Sequence, residues 1–437
     1  MMKKVKYFAL ALLLTGGFAM TSCSDDDVAT TQVTVGLNIS NTIGDDLTVK
    51  TGTFTFTDIS TGLETKIDYS STLTRAAAES TLATLADGLY NVTFIGTATY
   101  TYTETQVVEN EEGEEVTTEV TKTAEVNVQG AKQNVEVKGG AVSLDLTTYV
   151  QNQDEAGNFV IAEIFSPGTV NPETNKQYNG DQYIRIHNNS AETLYADGLI
   201  ILESKFLTVT KWDYTPNIMD EAMTVQVIAM IPGTGKDYPV LPGESITICD
   251  NAMNHKEANP GSADLSNADF EWYTQSTSAS NPDVDNPDVP NLEMMYNYTK
   301  TIWVLAKQGN RSYAIGRLPE GMTAKQYQAD YTYDYTYTLA TGNQSKVFTE
   351  YKFPNSWIID AVNMSPKNKY VWNVTSMALD MGYTYIGENS TIAENYGKAV
   401  VRKTSYTTED GRKVLQDTNN SSVDFMPSVR ATLLPAQ

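Results

Sequence analysis

Asp250, Asn251 and His255 fall within six positions of one another, and Asp269 and Trp272 follow in a second acid-rich stretch from Asp264 to Tyr273. A histidine with several carboxylates just past a strand end could hold a divalent metal or a polar ligand, provided the loop folds back on itself. The plainer reading makes Asp250 and Asn251 turn caps, leaves His255 on the surface, and packs Phe270, Trp272 and Tyr273 onto a sheet. A second set lies in the doubled unit Asn281-Pro282-Asp283 and Asn286-Pro287-Asp288. There Asp283, Asp285 and Asp288 space their oxygens as calcium ligands are spaced, but no glycine and bidentate glutamate follow. The prolines equally well stiffen an exposed loop. Calcium is the one cofactor these residues raise, and no other is expected.

Tyr331, Tyr333, Tyr335 and Tyr337 form a third set, at every second position. A strand would turn all four phenols to one face, giving rigid apolar area and hydroxyls to a sugar ring or a protein partner. The same row could instead cover a core. Catalytic patterns are sparse. Only His187 and His255 exist, neither in a His-Glu-x-x-His arrangement, and there is no Gly-x-Ser-x-Gly elbow or Walker loop. The paired carboxylates of a glycosidase can lie far apart in sequence, so a surface hydrolase acting on glycan stands as the alternative to a non-catalytic binding or scaffold protein.

The start of the chain says where such a protein works. Lys3, Lys4 and Lys6 precede an apolar run, Phe8 to Leu14, too short to span a bilayer, and small residues lead to Cys23. This reads as a lipoprotein signal over residues 1–22, with Cys23 as the acylated first residue of a tether over residues 23–31. Two or three acyl chains on one cysteine hold a protein to a membrane stably, where one chain does not. Removing residues 1–22 takes three lysines and no acid. The 30 basic side chains therefore become 27 against 54 acidic, and the net charge moves from -24 to -27. Such a surface repels phosphates, so nucleic acid is not an expected partner. With Cys23 acylated, Cys249 has no intramolecular partner, and its alternating context Glu244 to Cys249 makes it a small core residue.

The elements that must position these groups read as strands almost throughout. Gln32 to Ile39 and Thr53 to Asp58 alternate with period two, and Ala98 to Val108 and Val116 to Val126 flank the charged apex Glu109 to Glu115 as a long hairpin would. Gln151 to Asn158 is polar and without period, which marks a domain boundary. The fold class expected is all-β, with two β-sandwich domains over 32–147 and 158–437.

Four resemblances refine this. Leu85 to Phe94, with Asp87-Gly88 as a tight turn before a strand, resembles the prealbumin-like or carboxypeptidase-regulatory sandwich. Phe159 to Phe165, Gln182 to Ser190 and Leu194 to Ile201, the entry Leu241-Pro242-Gly243, Gly397 to Lys403 and the closing Asp417 to Phe425 together resemble the lamin-tail immunoglobulin-like domain. Long loop insertions separate the matched strands, and Arg185 replaces a common acid. Ser24, Asp25, Asp26 and Asp27 after Cys23 resemble the surface-export signal of Bacteroidota-type lipoproteins. The whole layout resembles an uncharacterised family of such lipoproteins, domain of unknown function 4876. These resemblances imply a lipid-anchored protein of the outer membrane, facing the cell exterior, with a ligand-binding or scaffold role. The setting such lipoproteins share also implies a TonB-dependent outer-membrane transporter as partner.

Overall fold

The computed structural model describes residues 8–9, 29–39, 47–70, 83–109, 115–150, 158–276, 283–299, 301–339 and 341–436. Cys23, Ser24 and Asp25 to Asp27, the apex Asn110 to Glu114, residues 151–157, and Asn281 with Pro282 lie outside them. The chain divides into two compact units, Met1–Gln153 and Asp154–Gln437, and regular structure in both is almost wholly strand.

In the first unit the sheet order is Thr30–Ile39, Ala141–Val150, Glu115–Val137, Gly88–Glu109, Thr48–Asp58 and Glu64–Ser70. Ala83–Ala86 and the two-residue Phe8–Ala9 pair with the outer edge of Thr30–Ile39. The hairpin expected from sequence forms, with Ala98 opposite Val126 and Val108 opposite Val116. Alternate residues of these strands, among them Val33, Val35, Phe54, Phe56, Phe94, Val128 and Leu144, close on one apolar core. Asp87-Gly88 forms the turn expected ahead of a strand. Ala83–Ala86 pairs with Thr30–Val33, while Gly88 opens a strand paired with Val137, so the two residues carry the chain around a corner from one set of strands to another. A hydrogen bond from Thr31 Oγ1 to Asp87 Oδ1, 2.6 Å, holds that corner.

The second unit stacks two sheets. One runs Phe270–Glu271, Ser245–Cys249, Tyr183–Asn188, Phe159–Phe165, Lys398–Arg402, Phe425–Arg430. The other runs Tyr214–Thr215, Thr332–Tyr337, Phe348–Pro354, Ala222–Met230, Ile200–Ser204, Tyr313–Gly316, Ile358–Val362, with Glu293–Asn297 also beside Ala222–Met230. Ile161, Ile164, Ile186, Ile201, Val227 and Trp303 fill the space between the sheets. Each outer face is covered too: the short helix Ala324–Asp330 lays Tyr327 over Leu202, Val225 and Phe353, and loops carrying Ala252, Leu265 and Leu434 cover Phe165, Tyr183 and Cys249. Burial on both faces is why Phe159–Phe165 and Ile200–Ser204 are apolar runs with hardly a solvent-facing position.

Arg185 sits opposite Glu163 in the Tyr183–Asn188 and Phe159–Phe165 pair, at 3.8 Å across the strands, which gives the substituted position a local role. Arg402 is buried and binds across the sheets. Its Nη2 reaches Asp360 Oδ2 of the opposite sheet at 2.5 Å and its Nη1 reaches Asp417 Oδ1 at 3.2 Å, with Asp424 at 3.8 Å. Nε donates to Ile161 O and Nη1 to Gln416 O, and the guanidinium lies 4.6 Å from the Phe425 ring centre. One side chain thus ties two sheets and the closing segment together.

Cys249 is buried, and burial followed by the Glu271 carboxylate pushes its thiol well above the usual range. A thiolate is the reactive form, so iodoacetamide should leave this cysteine untouched in the folded chain. With Cys23→Ala as background, mass spectrometry is expected to find no adduct on the native protein and full alkylation in urea. Labelling of the native protein would show that the strand opens.

Candidate functional site

The acid and histidine residues do converge, but on one another. Asp250 follows directly on Ser245–Cys249, and its N–H donates to Gln182 O at 3.0 Å. His255 opens a single turn of 3-10 helix, His255–Glu257, capped by Asn254. Its Nε2 lies 2.8 Å from Asn251 O, a pure acceptor, so Nε2 carries the proton and Nδ1 accepts from Tyr178 Oη at 2.7 Å. Burial lowers its pKa, so a neutral imidazole with both nitrogens engaged is the resting form. His255 is therefore buried, where the plainer sequence reading had it on the surface.

Asp269 Oδ2 accepts from Thr247 N at 2.7 Å, and Trp272 is buried with Nε1 donating to Trp303 O at 3.1 Å. Asp283 accepts from Thr274 N and Val284 N, Asp285 accepts from Asn291 Nδ2, and Asp288 N–H donates to Asn286 Oδ1. Among the described residues no group of three or more His, Cys, Asp or Glu is arranged to hold a metal ion. Two acids outside the sequence candidates complete the cluster. Glu271 staples two loops by accepting from Ala252 N and Asn286 N, and Asp181 accepts from Thr169 Oγ1 and Ser262 Oγ. Burial raises Asp250 well above the ordinary carboxyl range, with the Asp283 carboxylate adding to it, and burial lifts Asp181 to about 6. These are protonatable carboxyls in loop joints. The position of Asp250 past a strand end was readable; the satisfaction of Asp269 and Glu271 by backbone amides was not.

The tyrosine row splits. Tyr331 is the carboxy-terminal cap of the helix Ala324–Asp330, with φ -109 and ψ 41, and its ring stacks on Tyr327 and packs 4.7 Å from Trp357. That puts it on the opposite side of the sheet from the rest. Tyr333, Tyr335 and Tyr337 keep period two within Thr332–Tyr337 and meet rings that the sequence candidates did not include. Tyr335 lies edge-on to Phe206 at 5.4 Å and to Tyr214 at 5.8 Å, and Tyr337 sits 5.4 Å from Trp212. Phe206 and Tyr214 stack at 4.0 Å, with Trp372 near-parallel to Tyr214 at 5.9 Å.

Beside this aromatic cluster lies a shallow cleft with about 10 Å³ of free volume, lined by Phe206, Tyr214, Ile218, Thr224, Tyr333 and Trp372 among others. Trp372 is held by Nε1 donating to Leu207 O and Thr210 O, both at 2.9 Å, and Tyr333 Oη bonds Thr224 Oγ1 at 2.7 Å. Tyr214 Oη makes no hydrogen bond among the described residues. Burial keeps both phenols protonated, Tyr333 rising to about 12 and Tyr214 higher still.

Residues 241–432 match a family model described as a protein of unknown function, DUF4876. The chain is also similar to the crystal structure of a DUF4876 family protein from Bacteroides thetaiotaomicron, at 23% identity and a TM-score of 0.53, over 92% of this chain and 96% of that one. That likeness is one of fold. No curated protein matches the chain. The matched stretch holds the acid and histidine loops, the tyrosine strand, Trp372 and Arg402, whereas Phe206, Tyr214 and Thr224 precede it. The cleft is thus walled by both the matched stretch and the segment ahead of it. Phe206, Tyr214 and Trp372 come from separate segments, and no sequence signal joined them.

Proposed function

We propose that this chain is a non-catalytic cell-surface lipoprotein, anchored through Cys23 to the outer membrane, that holds a ligand in the aromatic cleft of its second unit. The observation that carries this reading is the cleft itself: preformed aromatic walls whose rings are fixed by buried hydrogen bonds, with polar groups at the edge, suit binding. The acids of the chain give less support to a glycan hydrolase. Such an enzyme needs two carboxyls facing one substrate, and no Asp or Glu lines the cleft. In this reading the first unit is a spacer, Ser24 and Asp25 to Asp27 direct export to the outer leaflet, and a TonB-dependent transporter is the partner that receives the cargo. No cofactor takes part.

Metabolic labelling with a clickable palmitate, combined with protease shaving of intact cells, tests the anchor. The native chain is expected to incorporate the lipid and to be shaved. Cys23→Ala should lose the label and leave the membrane fraction. An unlabelled native chain, or one resistant to shaving until cells are broken, would overturn the surface assignment.

A further inference from the structure

Resting on the reading of Cys23 as the lipid anchor, we infer that the first unit also touches the membrane itself, pressing Ile59, Leu63 and Leu89 into the lipid headgroup layer. These three apolar side chains are left 44%, 72% and 49% exposed. They lie together, because Ile59 N donates to Leu89 O and Asp58 N donates to Leu63 O, both at 2.9 Å. A single exposed leucine needs no explanation, but three such side chains gathered at one end of the unit mark a contact surface.

The anchor reaches the same end. Ala29 O accepts from Asp87 N at 2.8 Å, two residues before Leu89, and Thr31 Oγ1 donates to Asp87 Oδ1. A chain spans at most about 3.5 Å per residue, so the six steps from an acylated Cys23 hold Ala29 within about 20 Å of the bilayer surface. A patch beside the point of attachment meets lipid at a local concentration that neither a soluble partner nor a second copy shares.

The loop holds its two side chains outward before any contact is made. Asp58 Oδ1 accepts from Ser60 N and Thr61 N, both at 2.8 Å, and Gly62, at φ +72, donates its N–H to Asp58 O. Only Ser60, Thr61 and Gly62 stand between Ile59 and Leu63, so no charge leaves water with them. The turn Lys138-Gly139-Gly140 is tied to this end by Gln32 N donating to Gly140 O at 3.0 Å. It offers bare backbone and one exposed lysine, whose ammonium suits a lipid phosphate. Glu136 is exposed opposite Leu89, and that carboxylate limits the contact to headgroup depth.

The test places the natively acylated full chain in phosphatidylethanolamine vesicles that carry nitroxides high on their acyl chains, with a polarity-sensitive dye on Leu63→Cys. Cys249 is buried and Cys23 acylated, so the dye goes to the introduced thiol alone. Val120→Cys is the control, since Val120 pairs with Glu104, about 50 Å along the strand from Leu89. Flotation of the vesicles reports the anchor, and quenching reports the contact. The Leu63→Cys dye is expected to shift to the blue and to lose about half its emission or more to the nitroxides, while the Val120→Cys dye does neither. In a second arm, the mature chain alkylated at Cys23 with one tetradecyl chain binds vesicles reversibly, and Leu63→Ser with Leu89→Ser, both exposed, should lower its partition about tenfold. Equal quenching at the two dye positions, or a partition the serines leave unchanged, would overturn the inference while the anchor stands. A blue shift that grows with protein density and escapes the nitroxides would overturn it in favour of a second copy. A native chain that does not float removes the anchor and this inference together.

Discussion

Arg402→Met is expected to lower the unfolding free energy of the second unit by about 3–5 kcal/mol, because it strips a buried cation from the carboxyls of Asp360, Asp417 and Asp424. The loss is larger than an exposed ion pair could produce, since those contribute about 0–1 kcal/mol. Here both charges are out of water. The Nε donation to Ile161 O and the Nη1 donation to Gln416 O vanish as well, leaving two buried carbonyls short of a donor. Urea denaturation followed by tryptophan fluorescence measures this cleanly, as all five tryptophans lie in the second unit. The paired variant Arg402→Met with Asp360→Leu should recover part of the loss, because an apolar pair is cheaper to bury than a lone carboxylate. A change below about 1 kcal/mol in the single variant would mean that water enters the site and the cross-sheet tie contributes little.

The second unit should melt at a higher temperature near pH 5.5 than near pH 8, the reverse of ordinary acid lability. Burial lifts Asp181 and Asp380 to about 6. Asp250 stands higher still, again through burial. In the unfolded chain each returns to about 3.9. The folded state therefore holds protons that the unfolded state has released, and the stability each group contributes is complete below about pH 4 and lost as pH rises through its folded value. At about 1.4 kcal/mol per tenfold change in proton affinity, the sum reaches several kcal/mol. His187 and His255, lowered by burial, oppose this as pH falls below about 6.5, but two histidines face a larger set of raised carboxyls. Asp264 and Asp410, held low by hydrogen bonds from Ser266 and Thr408, lose their contribution only below about pH 4. Equal or lower melting temperature at the acid value, by calorimetry, would show that these carboxyls are solvated.

The strands were legible because their signals are local. Alternation in Thr53 to Asp58 and in the Ala98 to Val126 hairpin follows directly from side chains pointing to opposite faces. The apolar run Phe159 to Phe165 announced a strand covered on both sides. Tyr331 broke its row because a helix ends on it, and helix ends are set by capping and by what the last turn packs against, here Tyr327 on Trp357.

From sequence alone came the all-β class, the two-unit division in outline and the net charge, since each rests on composition or on neighbours along the chain. Only the tertiary structure decided what the polar residues do. It turned Asp250, His255 and Asp283 inward to satisfy loop joints, gave Arg402 its three carboxylate partners, and gathered Phe206, Tyr214, Tyr333 and Trp372 into one cleft. Those pairings join segments far apart in the chain, and the energy of a buried polar or aromatic group depends on which surfaces meet it, which period and propensity do not encode.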